Sequence, residues 1–166
     1  LKIPHPWCQT LLGLLCLVAC NGNLPKESRP VLRMNLHAGL TSLDPAQASN
    51  ESNVWMCQQL FSTLLAPDSA GNLVPEAARS WTVSTDGRTY TFRLRKDLHF
   101  HADPCFGSQG SRRLRSTDFA YSIRRICQPA TASPGLWVFR NTLLGAADYH
   151  AGKLNHLPGV HCPDDS

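Results

Sequence analysis

LVPEAARSWTVSTDGRTYTFRLRKDLHFH, residues 73–101, is the stretch that decides the predicted fold. Two runs with strand-like alternation flank Asp86 and Gly87, a dipeptide that readily supplies the positive φ angles of a tight turn. Bulky apolar residues occupy every second position of both runs: Trp81, Val83, Tyr90, Phe92 and Leu94. A period of two puts these side chains on one face and the polar groups on the other. The pattern therefore predicts an antiparallel β-hairpin with one solvent-exposed face.

Two amphipathic helices are predicted around this hairpin. Residues 51–65 form the first, with Asn50 as its N-cap. Its apolar residues recur at spacings of three and four, which predicts a core-facing stripe: Val54, Cys57, Leu60, Phe61, Leu64 and Leu65. The second helix is predicted to be capped by Thr117 and Asp118 and to end before Pro129, because proline cannot continue the backbone hydrogen bonds. Its predicted buried face consists of Phe119, Ile123, Ile126 and Cys127.

Shorter segments complete a predicted α/β domain. Residues 31–37 alternate as a strand before the first helix. After the second helix, residues 137–144 are mostly apolar and fit either a helix or a strand. Residues 145–153 predict a short helix closed by Gly152, and Val160 begins a further strand-like segment.

Residues 1–19 are predicted to be an export signal. Lys2 supplies a minimal positive region, and the apolar run at residues 11–18 is too short to span a bilayer as a mature helix. The run leads into Leu-Val-Ala-Cys, which resembles a bacterial lipobox, whose cysteine, here Cys20, receives a lipid. An ordinary secretory signal with an incidental cysteine is the alternative. The sequence thus predicts an exported lipoprotein, anchored on the periplasmic or extracellular face of the cell envelope membrane, with residues 20–30 as a tether.

Export leaves four cysteines in the mature segment besides the lipidated Cys20, and disulfides can persist outside the cytoplasm. Cys57, Cys105, Cys127 and Cys162 allow three pairings, and the sequence leaves the choice open. Cys105 lies in a long irregular loop, residues 102–116, which a disulfide would close. The alternative is a metal site formed with His99, His101 and His161. Because neither Cys-x-x-Cys nor His-x-x-x-His spacing occurs, no metal site is expected.

Specific residues in and around the hairpin carry a family resemblance. Pro-Glu-Ala-Ala stands before Ser-Trp, and Tyr-Thr-Phe-Arg-Leu-Arg-Lys leads to Phe-His, all within residues 75–101. Further motifs follow a common order: SLDP at 42–45, LF at 60–61, DFAYS at 118–122, ASP at 132–134 and GA at 145–146. Together they resemble the family 5 extracellular solute-binding proteins, the peptide- and nickel-binding subunits of ABC importers. Residues 102–116 depart from the family pattern as an insertion, and Ser116 stands where alanine is common.

The resemblance implies a two-lobed α/β protein of the periplasmic-binding-protein-like type II class. Such proteins close like a hinge around a peptide or similar solute and dock on a membrane permease. They are several times longer than this chain, which implies an N-terminal fragment. Residues 31–50 would be the first strand and loop of the ligand-binding lobe I, and residues 51–166 an appended α/β subdomain, truncated at its C-terminus. The residues carried over as solute-facing are Ala38, Gly39, Leu40, Thr41 and Ser42.

Other function classes are disfavoured by the sequence. A net charge of +4 is far from a nucleic-acid-binding balance, and the arginines are expected to form a solvated face: Arg112, Arg113, Arg115, Arg124 and Arg125. No Gly-x-Ser-x-Gly elbow, Gly-rich phosphate loop or His-Glu-x-x-His motif occurs, so no enzyme activity and no cofactor is expected.

The sequence therefore predicts an oligopeptide- or dipeptide-binding lipoprotein component of an ABC transporter, with the solute and the permease as partners. A non-transporting lipoprotein remnant or interaction module is the alternative, and nickel or another small solute is less favoured. For the isolated chain we expect partial order, because the strand at residues 31–37 would lack its sheet partners.

Overall fold

The computed structural model describes Val31 and residues 33–165 of the 166-residue chain. By its contacts the chain divides into two compact units, Leu1–Asn35 and Leu36–Ser166. The described part of the first unit, Val31 and residues 33–35, has irregular backbone. The predicted signal, Cys20 and the tether lie outside the described residues.

Four α-helices and four short strands are described in the second unit, with three 3-10 turns between them. In chain order they are the turn Pro45–Gln47, α1 (Glu51–Leu60), β1 (Leu65–Pro67), β2 (Leu73–Pro75), β3 (Ala78–Val83), β4 (Tyr90–Leu94), the turn Pro104–Gln109, α2 (Ser116–Cys127), the turn Pro129–Thr131, α3 (Leu136–Arg140) and α4 (Ala146–His150). None of the described helices is long and apolar enough to cross a bilayer.

The predicted hairpin is confirmed. β3 and β4 pair antiparallel, with Trp81 opposite Phe92. The turn is closed by the Gly87 N–H, which donates to the Ser84 carbonyl at 2.9 Å, and Gly87 adopts the expected positive φ of 70°. Burial is confined to the base of the hairpin: Leu94 is 3% exposed, whereas Tyr90 near the turn is 59% exposed. The apolar face predicted from the alternation is therefore only partly covered in the described residues.

The first helix is shorter than predicted. α1 ends at Leu60 instead of residue 65, because the following backbone pairs with a distant segment. The carbonyl of Leu64 accepts the Ala78 N–H at 3.0 Å, and the Glu76 carboxylate accepts the Thr63 N–H at 2.8 Å. Residues 65–75 then form a second hairpin, β1–β2, which the sequence reasoning missed.

The predicted apolar stripe of α1 is only partly confirmed: Cys57 is buried, and Leu64 and Leu65, beyond the end of the helix, are half-buried. Val54, Leu60 and Phe61 are instead 39%, 49% and 47% exposed. The other buried residues of α1 are polar, Ser52 and Asn53. The reason is that the first turns of α1 contact the polar segment at residues 41–43, described below, and not an apolar sheet.

The predicted strand at residues 31–37 does not form in its described residues, Val31 and 33–37. The described residues contain two two-stranded sheets, β1–β2 and β3–β4, and neither includes this segment. A strand is held by hydrogen bonds to a neighbouring strand, and its alternating pattern alone supplies none. Val160 likewise begins no strand.

α2 is confirmed, but its N-cap is Arg115, two residues before the predicted cap Thr117. It starts at Ser116, and the Asp118 carboxylate accepts the Arg115 N–H at 2.8 Å. A buried cluster lies behind it, formed by Cys127, Ala146 and Leu157, with Ile123, Leu136, Phe139, Leu143, Tyr149 and Val160 packed against it. The ambiguous run at residues 137–144 is helical over α3, and the expected short helix near residue 145 is α4.

The predicted insertion, residues 102–116, is a loop closed at its base by backbone pairing. The Phe100 N–H donates to the Arg112 carbonyl, and the Leu114 N–H donates to the Leu98 carbonyl, each at 2.9 Å. The Arg112 guanidinium lies over the Phe100 ring at 4.5 Å from its centroid. Cys105 is exposed and free, so this closure does not depend on a disulfide. The other three described cysteines, Cys57, Cys127 and Cys162, are free as well.

Candidate functional site

The segment carried over as solute-facing is an exposed loop. Ala38, Gly39, Leu40 and Thr41 are all exposed, and Leu40 keeps 43% of its surface in water. Ser42 is half-buried. Among the described residues, the backbone groups of residues 38–40 make no hydrogen bond. This stretch therefore offers free N–H and C=O groups to a molecule that approaches it.

Thr41 is held by two hydrogen bonds to Asn53 of α1. The Thr41 N–H donates to Asn53 Oδ1 at 3.1 Å, and Asn53 Nδ2 donates to Thr41 Oγ1 at 2.8 Å. The first turn of α1 is fixed in turn by Asn50, the predicted N-cap, whose Oδ1 accepts the Asn53 N–H at 2.9 Å. The end of the exposed loop is thus attached to the beginning of a helix.

The SLDP motif forms a tight turn immediately after the loop. The Asp44 N–H donates to Ser42 Oγ at 3.0 Å, and Asp44 Oδ1 accepts the Ala46 N–H at 3.0 Å. This is the N-cap geometry that aspartate favours before proline in the first helical turn. The polar groups of Asp44 and the hydroxyl of Ser42 are therefore engaged in local structure.

An ion pair fixes this turn to α2. Arg125 donates from Nη1 to Asp44 Oδ1 at 2.6 Å and from Nη2 to Oδ2 at 2.5 Å, a bidentate pair between residues 81 positions apart. The side-chain hydrogen bond from Arg125 lowers the pKa of Asp44 below its ordinary value, and the same bond raises the pKa of Arg125. The two motif residues thus meet in space and keep each other charged.

Two further hydrogen bonds attach the same segment to the turn after α2. Gln47 Nε2 donates to the Thr131 carbonyl at 2.6 Å. Ser133, which is buried, donates from its hydroxyl to the Ala46 carbonyl at 2.6 Å. The ASP motif at residues 132–134 therefore supports the SLDP turn. The exposed loop is held on one side by α1 and, through the turn, by α2 and the residues after it.

Three of the five clustered arginines lie beside carboxylates in the described residues. Arg112 makes a bidentate pair with Asp118 at 2.7 and 2.8 Å, and Arg125 is paired with Asp44. The hydrogen bond from Arg112 lowers the pKa of Asp118. A carboxylate of Asp165 lies 3.9 Å from Arg115. These pairs account for much of the local positive charge predicted from the sequence.

No described group of three or more His, Cys, Asp or Glu side chains is arranged to hold a metal ion. His99 and His101 are exposed and border an apolar groove of about 280 Å³. The groove is lined mainly by Leu60, Phe61, Leu98, Phe100, Leu114 and Phe119. None of residues 38–42 lines it, so the groove is separate from the candidate loop.

Sequence reasoning located the loop but missed the residues that hold it. Gln47 and Ser133 carry no sequence signal for this role, because each acts through a contact with a distant part of the chain. Asn53 carries only a weak signal: it is a polar residue in the first turn of a helix, three positions after the N-cap.

Comparison with known proteins gives the chain its family. The family model described as "Bacterial extracellular solute-binding proteins, family 5 Middle" matches residues 72–165, more than half of the chain. The periplasmic oligopeptide-binding protein OppA of Haemophilus influenzae is 40% identical over 96 residues, which are 56% of this chain and 16% of that protein. The probable deoxycholate-binding periplasmic protein YgiS of Escherichia coli is 29% identical over 163 residues, 96% of this chain and 29% of that protein.

Solved structures agree with this result. The Haemophilus influenzae OppA complex with RPPGFSPFR has a TM-score of 0.62 at 33% identity, over 75% of this chain and 23% of that chain. The Escherichia coli murein tripeptide binding protein MppA has a TM-score of 0.62 at 28% identity, with the same coverage. The described residues thus form part of the α/β fold of periplasmic binding proteins, and the chain spans less than a third of the length of these relatives. The chain belongs to the bacterial extracellular solute-binding proteins of family 5.

Proposed function

We propose that this chain is part of the peptide-binding component of an ABC importer, and that residues 38–42 face the bound peptide, with backbone contacts from residues 38–40. The observation that carries the proposal is the backbone of residues 38–40, which makes no hydrogen bond among the described residues, on a loop whose neighbouring turn is firmly held. Relatives named as oligopeptide-binding proteins support peptide as the solute class.

The chemistry of the loop suits a peptide main chain. Extended backbone donates and accepts hydrogen bonds to another main chain without reading its side chains. Ala38, Gly39 and Leu40 carry no charged group. Binding through this loop would therefore tolerate many peptide sequences, as an importer of mixed peptides requires. Selectivity, where it exists, would come from other parts of the cleft.

Cleft closure and docking belong to the same proposal. A bound solute must lose most of its contact with water, which needs two opposing surfaces. Residues 31–50 would belong to one lobe and residues 51–166 to its appended subdomain. A permease in the membrane would receive the peptide, and a lipid on Cys20 would keep the protein at the outer face of that membrane.

The test uses the polypeptide isolated from the membrane of its source. Its intact mass is measured first, and RPPGFSPFR is then titrated into it by calorimetry. We expect a lipid-modified polypeptide, of a length comparable to its relatives, that binds the peptide. A lipid-modified product ending near Ser166 that binds no peptide would overturn the proposal and leave a non-transporting surface module.

A matched pair of variants tests the loop itself. Leu40→Pro removes one backbone N–H from the loop, whereas Leu40→Ala removes side chain and keeps that N–H. If the backbone carries the binding, the proline variant should bind the peptide about tenfold more weakly than the alanine variant. Equal affinities in the two variants would exclude a backbone contact at residue 40.

A further inference from the structure

Among the described residues, Asn53 is the most completely buried polar residue. It is 1% exposed, and it lies on a helix whose apolar residues Val54 and Leu60 remain substantially exposed. Burying an amide is unfavourable unless its donor and acceptor are both satisfied. Here both ends of the amide are used, and both bind the same residue, Thr41. The buried Asn53 side-chain amide therefore binds the end of the exposed loop.

The two hydrogen bonds of this contact fix the orientation of Thr41 as well as its position. One bond engages the Thr41 backbone N–H and the other its side-chain oxygen, so Thr41 is held at two points. Its N–H points toward α1 and is unavailable to a solute. The residues immediately before it, 38–40, are exposed, and their backbone makes no hydrogen bond among the described residues.

We propose that Asn53 is a positioning residue for solute binding. It touches no solute itself; it holds Thr41 so that the backbone groups of residues 38–40 are preorganised for a peptide main chain. Preorganisation raises affinity because the loop loses less conformational freedom on binding. This inference rests on the proposed function of the loop.

The experiment compares three variants of the polypeptide isolated from its source. Asn53→Ala removes both bonds to Thr41. Ser52→Ala is the matched control, because Ser52 is its buried neighbour on the same helical turn and makes no side-chain hydrogen bond among the described residues. Leu157→Ala is a destabilised control, since Leu157 is 3% exposed in a separate cluster with Cys127 and Ala146.

Two readouts are taken for each variant: the affinity for RPPGFSPFR and the hydrogen exchange rate of the Thr41 amide. We expect Asn53→Ala to weaken peptide binding about tenfold and to speed exchange at Thr41 by a similar factor. Ser52→Ala should change neither. Leu157→Ala should lower the melting temperature and leave the affinity unchanged at temperatures where it is folded.

The outcomes separate this inference from the proposed function. If the wild-type polypeptide binds no peptide, the proposed function fails, and a wild-type exchange rate in Asn53→Ala would overturn the holding role as well. If the wild type binds, an Asn53→Ala affinity equal to that of Ser52→Ala overturns the inference alone. If Asn53→Ala and Leu157→Ala are equally destabilised and Asn53→Ala loses no more affinity than Leu157→Ala, Asn53 contributes to stability only.

Discussion

Asp44 and Arg125 are joined by two hydrogen bonds of 2.6 and 2.5 Å, although 81 positions separate them in the chain. One residue begins the turn after the candidate loop, and the other lies near the end of α2. The pair thus connects the candidate binding segment to the helix that covers the buried cluster.

Breaking this pair should lower stability moderately. The side chain of Arg125 is 36% exposed and that of Asp44 is 28% exposed, so water screens the interaction in part. From Asp44→Asn, Arg125→Ala and the double variant, we expect a coupling free energy of about 1 kcal/mol in urea unfolding. Arg125→Lys keeps the charge but loses the bidentate geometry, and it should recover less than half of that value. A coupling indistinguishable from zero would contradict a stabilising role.

Stability should fall at acid pH because of two carboxyl groups. The hydrogen bond from Arg125 lowers the pKa of Asp44, and the hydrogen bond from Arg112 lowers the pKa of Asp118. A lowered folded-state pKa contributes stability that is present above the unfolded-state value of about 4 and is lost as pH falls through the folded-state value.

This dependence is measured as the free energy of unfolding between about pH 6 and pH 2. Asp44→Asn and Asp118→Asn should each flatten the curve. In an Arg112→Ala background, Asp118→Asn should flatten it less, since the hydrogen bond that lowers the pKa most is already gone and the one from the Arg115 N–H remains. An equal effect of Asp118→Asn in both backgrounds would rule out Arg112 as the cause.

Side-chain truncation should destabilise the β3–β4 hairpin far more at its base than near its turn. Leu94 is 3% exposed and Tyr90 is 59% exposed on the same strand. Leu94→Ala should cost about 2–4 kcal/mol of unfolding free energy, because it leaves a cavity. Tyr90→Ala, the control, should cost less than about 1 kcal/mol. Similar losses at both positions would mean that the end of the hairpin is buried against another surface in solution.

Alanine substitutions at two glycines should distinguish the cost of backbone strain from the cost of a steric clash. Gly145 and Gly152 adopt nearly equal φ angles of 76° and 73°. A Cβ at residue 145 would lie 2.5 Å from Pro158 Cγ, whereas a Cβ at residue 152 would meet nothing within 4 Å. Gly152→Ala should cost about 1 kcal/mol from backbone strain alone. Gly145→Ala should lower the melting temperature further, and equal melting temperatures would show that Pro158 moves aside freely.

The sequence predicted elements that depend on local signals and missed those that depend on distant partners. The β3–β4 hairpin has its turn at Asp86 and Gly87 and its alternation within a few residues, so it was predicted correctly. The end of α1 depends on Glu76 binding Thr63, which no local pattern reveals. In the candidate site, a motif placed the loop at residues 38–42. The contact between Asn53 and Thr41 joins residues 12 positions apart, and no local pattern reveals it.

The pairing of residues 98–100 with 112–114 has a consequence for how this protein tolerates change. The two backbone bonds at its ends close the inserted segment at its base, before the turn Pro104–Gln109 begins. Lengthening a loop that is already closed costs little, because closure entropy grows only slowly with length. We therefore expect the tip of this loop to accept added residues, so that an affinity tag or reporter peptide could be introduced there while the start of α2 keeps its place.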